Sequence, residues 1–159
     1  MKVLILGIGN TLLTDEGVGV YVIHALEDFI SPDDEDVRLL DGGTLSFTLA
    51  GPIEEADALV VVDAAELKAK PGTLQVFEGV EMDRFLLGNR KSSVHEVGLT
   101  DLMAIARLAG HWPERRALVA IQPDLVDWGE LPTEQVAAAV PGACARIQSL
   151  IGTWRHAAA

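Results

Sequence analysis

Cysteine is almost missing: Cys144 is the only one in 159 residues. That excludes an internal disulfide framework and a thiolate-only metal cage, and it fits a reducing compartment. Basic side chains are scarce as well. Twelve Lys and Arg face 24 Asp and Glu, a formal charge of −12. A surface so negative repels phosphate backbones and anionic lipid, so nucleic acid and membranes are poor partners and a basic or metal-bearing partner is a better one. Long apolar runs are lacking too. No stretch approaches the roughly 20 residues that span a bilayer, and Met1–Gly7 is too short for a signal core and has no small-residue cleavage site. These absences predict a cytoplasmic protein.

Apolar mass is plentiful. Hydrophobic residues make up 49 % of the chain, which argues against disorder. A chain of this length buries roughly 70 % of its extended surface on folding and forms a core without staples. One domain over residues 1–155 is expected, with 156–159 as a disordered tail.

Short apolar runs alternate with longer amphipathic stretches. Lys2–Leu6 reads as a strand covered on both faces, ending in Gly7-Ile8-Gly9-Asn10. From about Asp15 to Phe29 the spacing turns helical, with Val18, Val22, Leu26 and Phe29 on one face. Strands are predicted at Val37–Leu40, at Ala58–Val62 stopped by Asp63, and at Ala117–Ile121. A further strand at Thr73–Phe77 follows the Lys70-Pro71-Gly72 turn and suits an antiparallel edge. A short helix is predicted near Leu45–Ala50 and another at Leu99–Ala109, closed by Gly110. The last helix starts near Thr133, whose hydroxyl is suited to cap it, and Pro141 is expected to break or kink it. Residues 78–91 carry no clear pattern. The alternation predicts an α/β fold: a twisted, mostly parallel five-stranded sheet with helices on both faces and one antiparallel edge strand.

In such sheets ligands bind beyond the carboxyl ends of the strands. Three acidic residues fall at such ends: Glu16, Asp41 and Asp63. Taken singly, Glu16 is a favourable charge in a first helical turn and Asp63 a turn residue; their convergence is the functional signal. Gly17 and Gly19 flank Glu16 inside a helix, each at a cost of about 1 kcal/mol against Ala, which implies a close backbone or ligand. Of four histidines, His95 alone sits in a polar segment able to reach the sheet edge; His24, His111 and His156 read as structural or solvated. Two carboxylates and an imidazole make a reasonable donor set for a divalent transition metal, although their spacing matches no metal motif.

Other chemistries fail on inspection. Gly7-x-Gly9 starts a dinucleotide fingerprint, but Leu12 takes the third glycine position. There is no Walker lysine and no Gly-x-Ser-x-Gly elbow. His95-Glu96 lacks the second histidine of the zinc-protease motif, and Cys144, on an Ala-rich helix, reads as a small core residue.

The segment Gly7-Ile8-Gly9-Asn10-Thr11-Leu12-Leu13-Thr14-Asp15-Glu16-Gly17-Val18-Gly19 resembles the N-terminal signature of the hydrogenase maturation endopeptidases. Asp41-Gly42-Gly43-Thr44, Val61-Val62-Asp63-Ala64 and Ser93-Val94-His95-Glu96-Val97-Gly98-Leu99 match three further blocks in the same order. Gln122-Pro123, Trp128-Gly129-Glu130 and Pro132–Val136 are similar to the family's C-terminal part. The resemblance implies an aspartic-type or nickel-dependent endopeptidase that trims a C-terminal extension from the [NiFe] hydrogenase large-subunit precursor after nickel insertion. It carries the metal-contacting positions over to Glu16, Asp63 and His95, with nickel arriving on the substrate and no tightly bound metal of the enzyme's own. The metal then either polarises the scissile carbonyl or activates water, or it positions the substrate while Asp41 assists as base; Asp41 serves equally well as a turn residue orienting its loop. The acidic surface suits a substrate tail with a basic residue at the scissile bond. The 128–130 block is somewhat closer to proteases of cytoplasmic bidirectional, NAD-linked hydrogenases. A non-catalytic nickel chaperone on the same fold is the alternative from another class, and a nucleotide-binding domain is a third.

Overall fold

The apolar runs pair as one sheet in a computed structural model that describes residues 1–89 and 98–159. Strand β1 (Val3–Ile8) is buried along its whole length, as a strand covered on both faces must be. Around it lie β2 (Val37–Gly43), β3 (Ala58–Ala64), β4 (Leu74–Glu78) and β5 (Arg115–Ile121), in the order β2-β1-β3-β5-β4. All neighbours are parallel except β4, which runs antiparallel to β5 at the edge. The expected fold class is therefore observed.

Alternate side chains of each strand face different cores. Val3, Ile5, Val60, Val62, Val119 and Ile121 pack with α1 (Val18–Leu26) and α5 (Glu134–Ala158). Leu4, Leu6, Leu59, Val61 and Leu118 pack with α2 (Ala50–Glu55), α3 (Val80–Gly88) and α4 (Leu99–Leu108). Because β1 leads to β2 on one side and β3 returns on the other, the carboxyl ends of β1 and β3 flank a topological switch point, where open α/β sheets form their crevice.

Several elements differ from expectation. The helix read from Asp15 begins as a 3-10 turn, Thr14–Gly17, and α1 ends at Leu26, leaving Phe29 exposed beyond it. Strand β3 does not stop at Asp63 but includes it, because β5 continues alongside and pairs Asp63 with Ala120. Residues 78–91, read as patternless, contain α3, whose single buried stripe is too short to register as a period. The helix near Leu45–Ala50 is a 3-10 turn at Phe47–Leu49 followed by α2. Helix α5 continues through Pro141; proline removes one intrahelical N–H bond, and burial of Val136, Ala143, Cys144, Ile147 and Trp154 holds the helix together on both sides. Residues 156–158, expected as a tail, continue α5, which alanine favours and which basic residues in the last turn assist. Gly110 closes α4 at a φ of 76°, as read. Cys144 is buried against α1. Among the described residues no helix is long and apolar enough to cross a membrane.

Candidate functional site

Two glycines build the rim of the crevice. Gly9, just after β1, has a φ of +138°, and a Cβ there would stand 1.8 Å from the Glu16 carbonyl oxygen. Only glycine combines that backbone with that approach. Gly19, in the first turn of α1, lies so close to two strands that a Cβ would meet the Val62 oxygen at 2.3 Å and the Ile8 oxygen at 2.4 Å. The cost of glycine in a helix thus has a physical cause: α1 is drawn down onto the ends of β1 and β3. Its leading 3-10 turn, which carries Glu16, packs against β3, which carries Asp63. Both carboxylate residues are half-buried.

Asp41 belongs to the same edge. It pairs with Gly7 across the β1–β2 ladder, and with Gly43 and Thr44 it lines one wall of a cleft of about 310 Å³ whose other wall is Gly9 to Leu12. Its Oδ1 accepts the Gly43 N–H at 2.9 Å, and the Gly43 oxygen accepts the Gly9 N–H at 2.9 Å. These bonds close a turn within β2 from the Asp41 side chain and tie the Gly9 turn to it, a geometry that suits a residue orienting its loop. His95, the third member of the predicted donor set, lies outside the described residues. Among the described residues no group of three or more His, Cys, Asp or Glu side chains is gathered closely enough to hold a metal. His24 and His111 are exposed, as read; His24 faces Glu27 at 3.4 Å.

Sequence reasoning missed the residue that braces this rim. Asp15 is fully buried. Its carboxylate accepts the N–H groups of Asp124 (2.8 Å), Leu125 (2.9 Å) and Thr133 (2.6 Å), and the Thr133 hydroxyl at 2.8 Å. Burial alone would raise its pKa, but the main-chain donors Leu125, Thr133 and Asp124 and the Thr133 hydroxyl together hold it below the ordinary carboxylate value. Thr133 does occupy the position before α5, yet its hydroxyl serves Asp15 rather than capping the helix.

Further bonds tie the same two segments. Thr14, at a φ of 46°, donates its N–H to Gly129 (2.8 Å) and its hydroxyl to the Leu125 oxygen (2.5 Å). The Gly129 N–H returns to Leu12 at 2.9 Å, and the Tyr21 hydroxyl donates to the Glu130 oxygen. A strained non-glycine residue persists only where its surroundings over-determine it, as they do here. The loop after β5 is thereby fixed to the turn that carries Glu16. At its start, the Gln122 side chain accepts the Leu67 N–H and donates to Glu66; that hydrogen bond, more than the Lys68 N–H, lowers the Glu66 pKa. No sequence period links Asp15 to Thr133, and only the recurring 122–123 and 128–130 blocks signalled that this loop matters.

Comparison with known proteins points one way. A family model described as hydrogenase maturation protease matches residues 20–150. The hydrogenase expression/formation protein HupD of Rhizobium leguminosarum bv. viciae is 38 % identical over 154 residues, covering 96 % of this chain and 75 % of that protein. The hydrogenase 2 maturation protease of Escherichia coli K12 is 38 % identical over 129 residues, 80 % of this chain and 76 % of that one. The solved structure of the E. coli hydrogenase maturating endopeptidase HybD superposes with a TM-score of 0.86 at 34 % identity, covering 96 % of this chain and 93 % of that chain.

Proposed function

Because this chain belongs to the hydrogenase maturation protease family, we propose that it removes the C-terminal extension of a [NiFe] hydrogenase large-subunit precursor once that precursor carries nickel. Glu16, Asp63 and His95 contact the nickel, which enters as part of the substrate. Water adds to the scissile carbonyl carbon, the C–N bond breaks, and a new carboxylate and a new amine separate. The metal polarises the carbonyl or activates the water; Asp41 shapes the cleft wall rather than acting on the bond.

The observation that supports this reading is the packing of the 3-10 turn that carries Glu16 against β3, the strand that carries Asp63, at the switch point of the sheet. Two carboxylates from separate segments at one crevice are a donor set for somebody else's ion. Two oxygens and one imidazole hold a bare divalent ion weakly, so full coordination comes only when the precursor adds its own ligands. A tightly bound resident metal would erase the difference between loaded and empty precursor.

The test is incubation of purified protein with nickel-loaded and nickel-free precursor, read by mass spectrometry. Truncation of the loaded precursor alone is expected, and His95→Ala, Glu16→Ala and Asp63→Asn should each abolish it. A stable complex without truncation would make the protein a chaperone instead. Normal processing by His95→Ala would remove the metal-contact assignment.

A further inference from the structure

The loop that Asp15 braces exposes an unusual set of side chains. Leu125, Val126, Trp128 and Leu131 all stand in solvent, Trp128 at 78 % and Leu131 at 76 % exposure, and the backbone bond from Gly129 to Leu12 sets exposed Leu12 beside them. These five are half of the ten exposed large apolar residues among the described residues. Of the rest, Phe29, Phe47 and Leu108 lie on separate segments and Val80 and Leu87 on α3, a scatter that is ordinary for a protein surface. Leu12 also lines the cleft beside Asp41, so the apolar ledge runs directly into the candidate site.

The ledge's backbone is braced, and the charges carried by the segments that form it have one sign. Its backbone is held by the Asp15 carboxylate and by the Thr14 and Gly129 bonds, so little ordering entropy remains to be lost on binding. Asp124, Asp127 and Glu130 are interleaved with the apolar residues, and no Lys, Arg or His occurs from residue 117 to 145 or from 3 to 23. An apolar patch interleaved along the chain with carboxylates complements apolar anchors flanked by cations, and it disfavours a second copy of a chain whose net charge is −12.

We infer that Leu12, Leu125, Val126, Trp128 and Leu131 form the docking ledge for a basic, apolar segment of the hydrogenase precursor, with Trp128 as its anchor. This rests on the proposed function and adds where the precursor is gripped and by what chemistry. The ledge binds and orients; it does no chemistry.

The experiment separates the two claims. Binding of purified nickel-free precursor, which the proposed reaction leaves uncut, is measured with otherwise wild-type protein, with and without Trp128→Ser/Leu131→Ser, and processing is measured on the same proteins with nickel-loaded precursor. The double variant should weaken binding and raise KM at least about ten-fold, leaving kcat within about two-fold. Glu130→Lys, which leaves the apolar residues intact, should weaken binding less, and the loss should shrink at high salt. Unchanged KM and affinity in the double variant would overturn the ledge. So would a wild-type dimer, seen by sedimentation, that Trp128→Ser/Leu131→Ser dissociates. Trp128-dependent binding without processing by the wild type would keep the ledge and remove the protease reading; no binding at all would remove both.

Discussion

Asp15 and Asp83 are both buried carboxylates, yet one is satisfied by main-chain N–H groups and the other by guanidinium groups. Asp83 accepts two bonds from Arg116, at 2.6 and 2.9 Å, one from Arg107 at 3.0 Å and one from the Trp112 indole at 3.2 Å. Arg116 also stacks over the Trp112 ring. These partners are long side chains reaching from α4, from β5 and from the loop between them, so the cluster fixes how α3 sits on its neighbours. Arg116 lies near the start of β5, opposite Leu59, at the end of the sheet remote from the crevice. The partners of Asp15 are instead the backbone of one loop, and its geometry dictates where that loop runs. Ion pairing holds elements together far from the candidate site; neutral donors around a single charge shape the surface beside it.

The largest expected effect is at Asp83. Asp83→Ala strands Arg116 in a buried position, and breaking a buried pair from one side costs about 3–5 kcal/mol. For a domain of this size that lowers the melting midpoint by roughly 10 °C or more. Calorimetry measures it. Below that midpoint the variant should still process precursor within about two-fold of wild type, since the cluster lies away from the rim. Loss of processing by a folded variant would break the distinction drawn above.

Asp15→Ala comes next. It leaves the Asp124, Leu125 and Thr133 N–H groups without their acceptor, a cost of about 2–3 kcal/mol. Here function should suffer more than the fold: KM for the precursor should rise at temperatures where circular dichroism still reports a folded chain. A variant of wild-type KM and lowered stability would make Asp15 merely a second Asp83.

How far each region was legible in the sequence follows the same division. The buried strands were readable because a strand covered on both faces must be apolar throughout, as Val3–Ile8 and Val60–Val62 are. The positions of Asp41 and Asp63 near the ends of β2 and β3, and of Glu16 in the turn after β1, followed from that pattern, and Gly17 and Gly19 foretold close approaches that the structure traces to Thr11 for the first and to Ile8 and Val62 for the second. Asp15 was not legible. A carboxylate bonded to N–H groups 118 residues away leaves no mark in local periodicity, because any residue type supplies a main-chain donor. Asp83 escaped notice likewise: its partners are ordinary surface residue types until the fold turns them inward. Pro141 misled because propensity rules weigh a residue alone, while α5 is held by the core beneath it.

The pH dependence sharpens the comparison. Asp15 is held below the ordinary carboxylate pKa in the folded state, so the folded state favours its ionised form more than the unfolded chain does. Its contribution is complete above the unfolded value and is lost as pH falls through the lowered folded value. Asp15→Asn keeps one acceptor oxygen but no charge. It should cost about 1–2 kcal/mol near neutral pH, the difference between charged and neutral hydrogen bonds, and nothing at the acid end of that window. Urea midpoints of both proteins measured from neutral to acid pH should converge; parallel curves would show that the charge of Asp15 contributes nothing.

The smallest effect is expected at Arg107, and it tests whether the Asp83 cluster is a network or a single pair. The Arg107 side chain is 51 % exposed and makes one bond to Asp83, whereas that of Arg116 is 10 % exposed and makes two. An exposed guanidinium is screened by water and must order a long side chain, so such a contact is worth about 0.2–1 kcal/mol. Arg107→Ala should therefore shift the urea midpoint only slightly, while Arg116→Ala approaches the cost of Asp83→Ala because the carboxylate then stays buried beside a weak partner. In the doubly substituted Arg107→Ala/Arg116→Ala protein, the loss should exceed the sum of the single losses, since each arginine partly shields Asp83 when the other is gone. Strict additivity would mean that Arg107 leaves Asp83 to solvent and that Arg116 alone does the pairing.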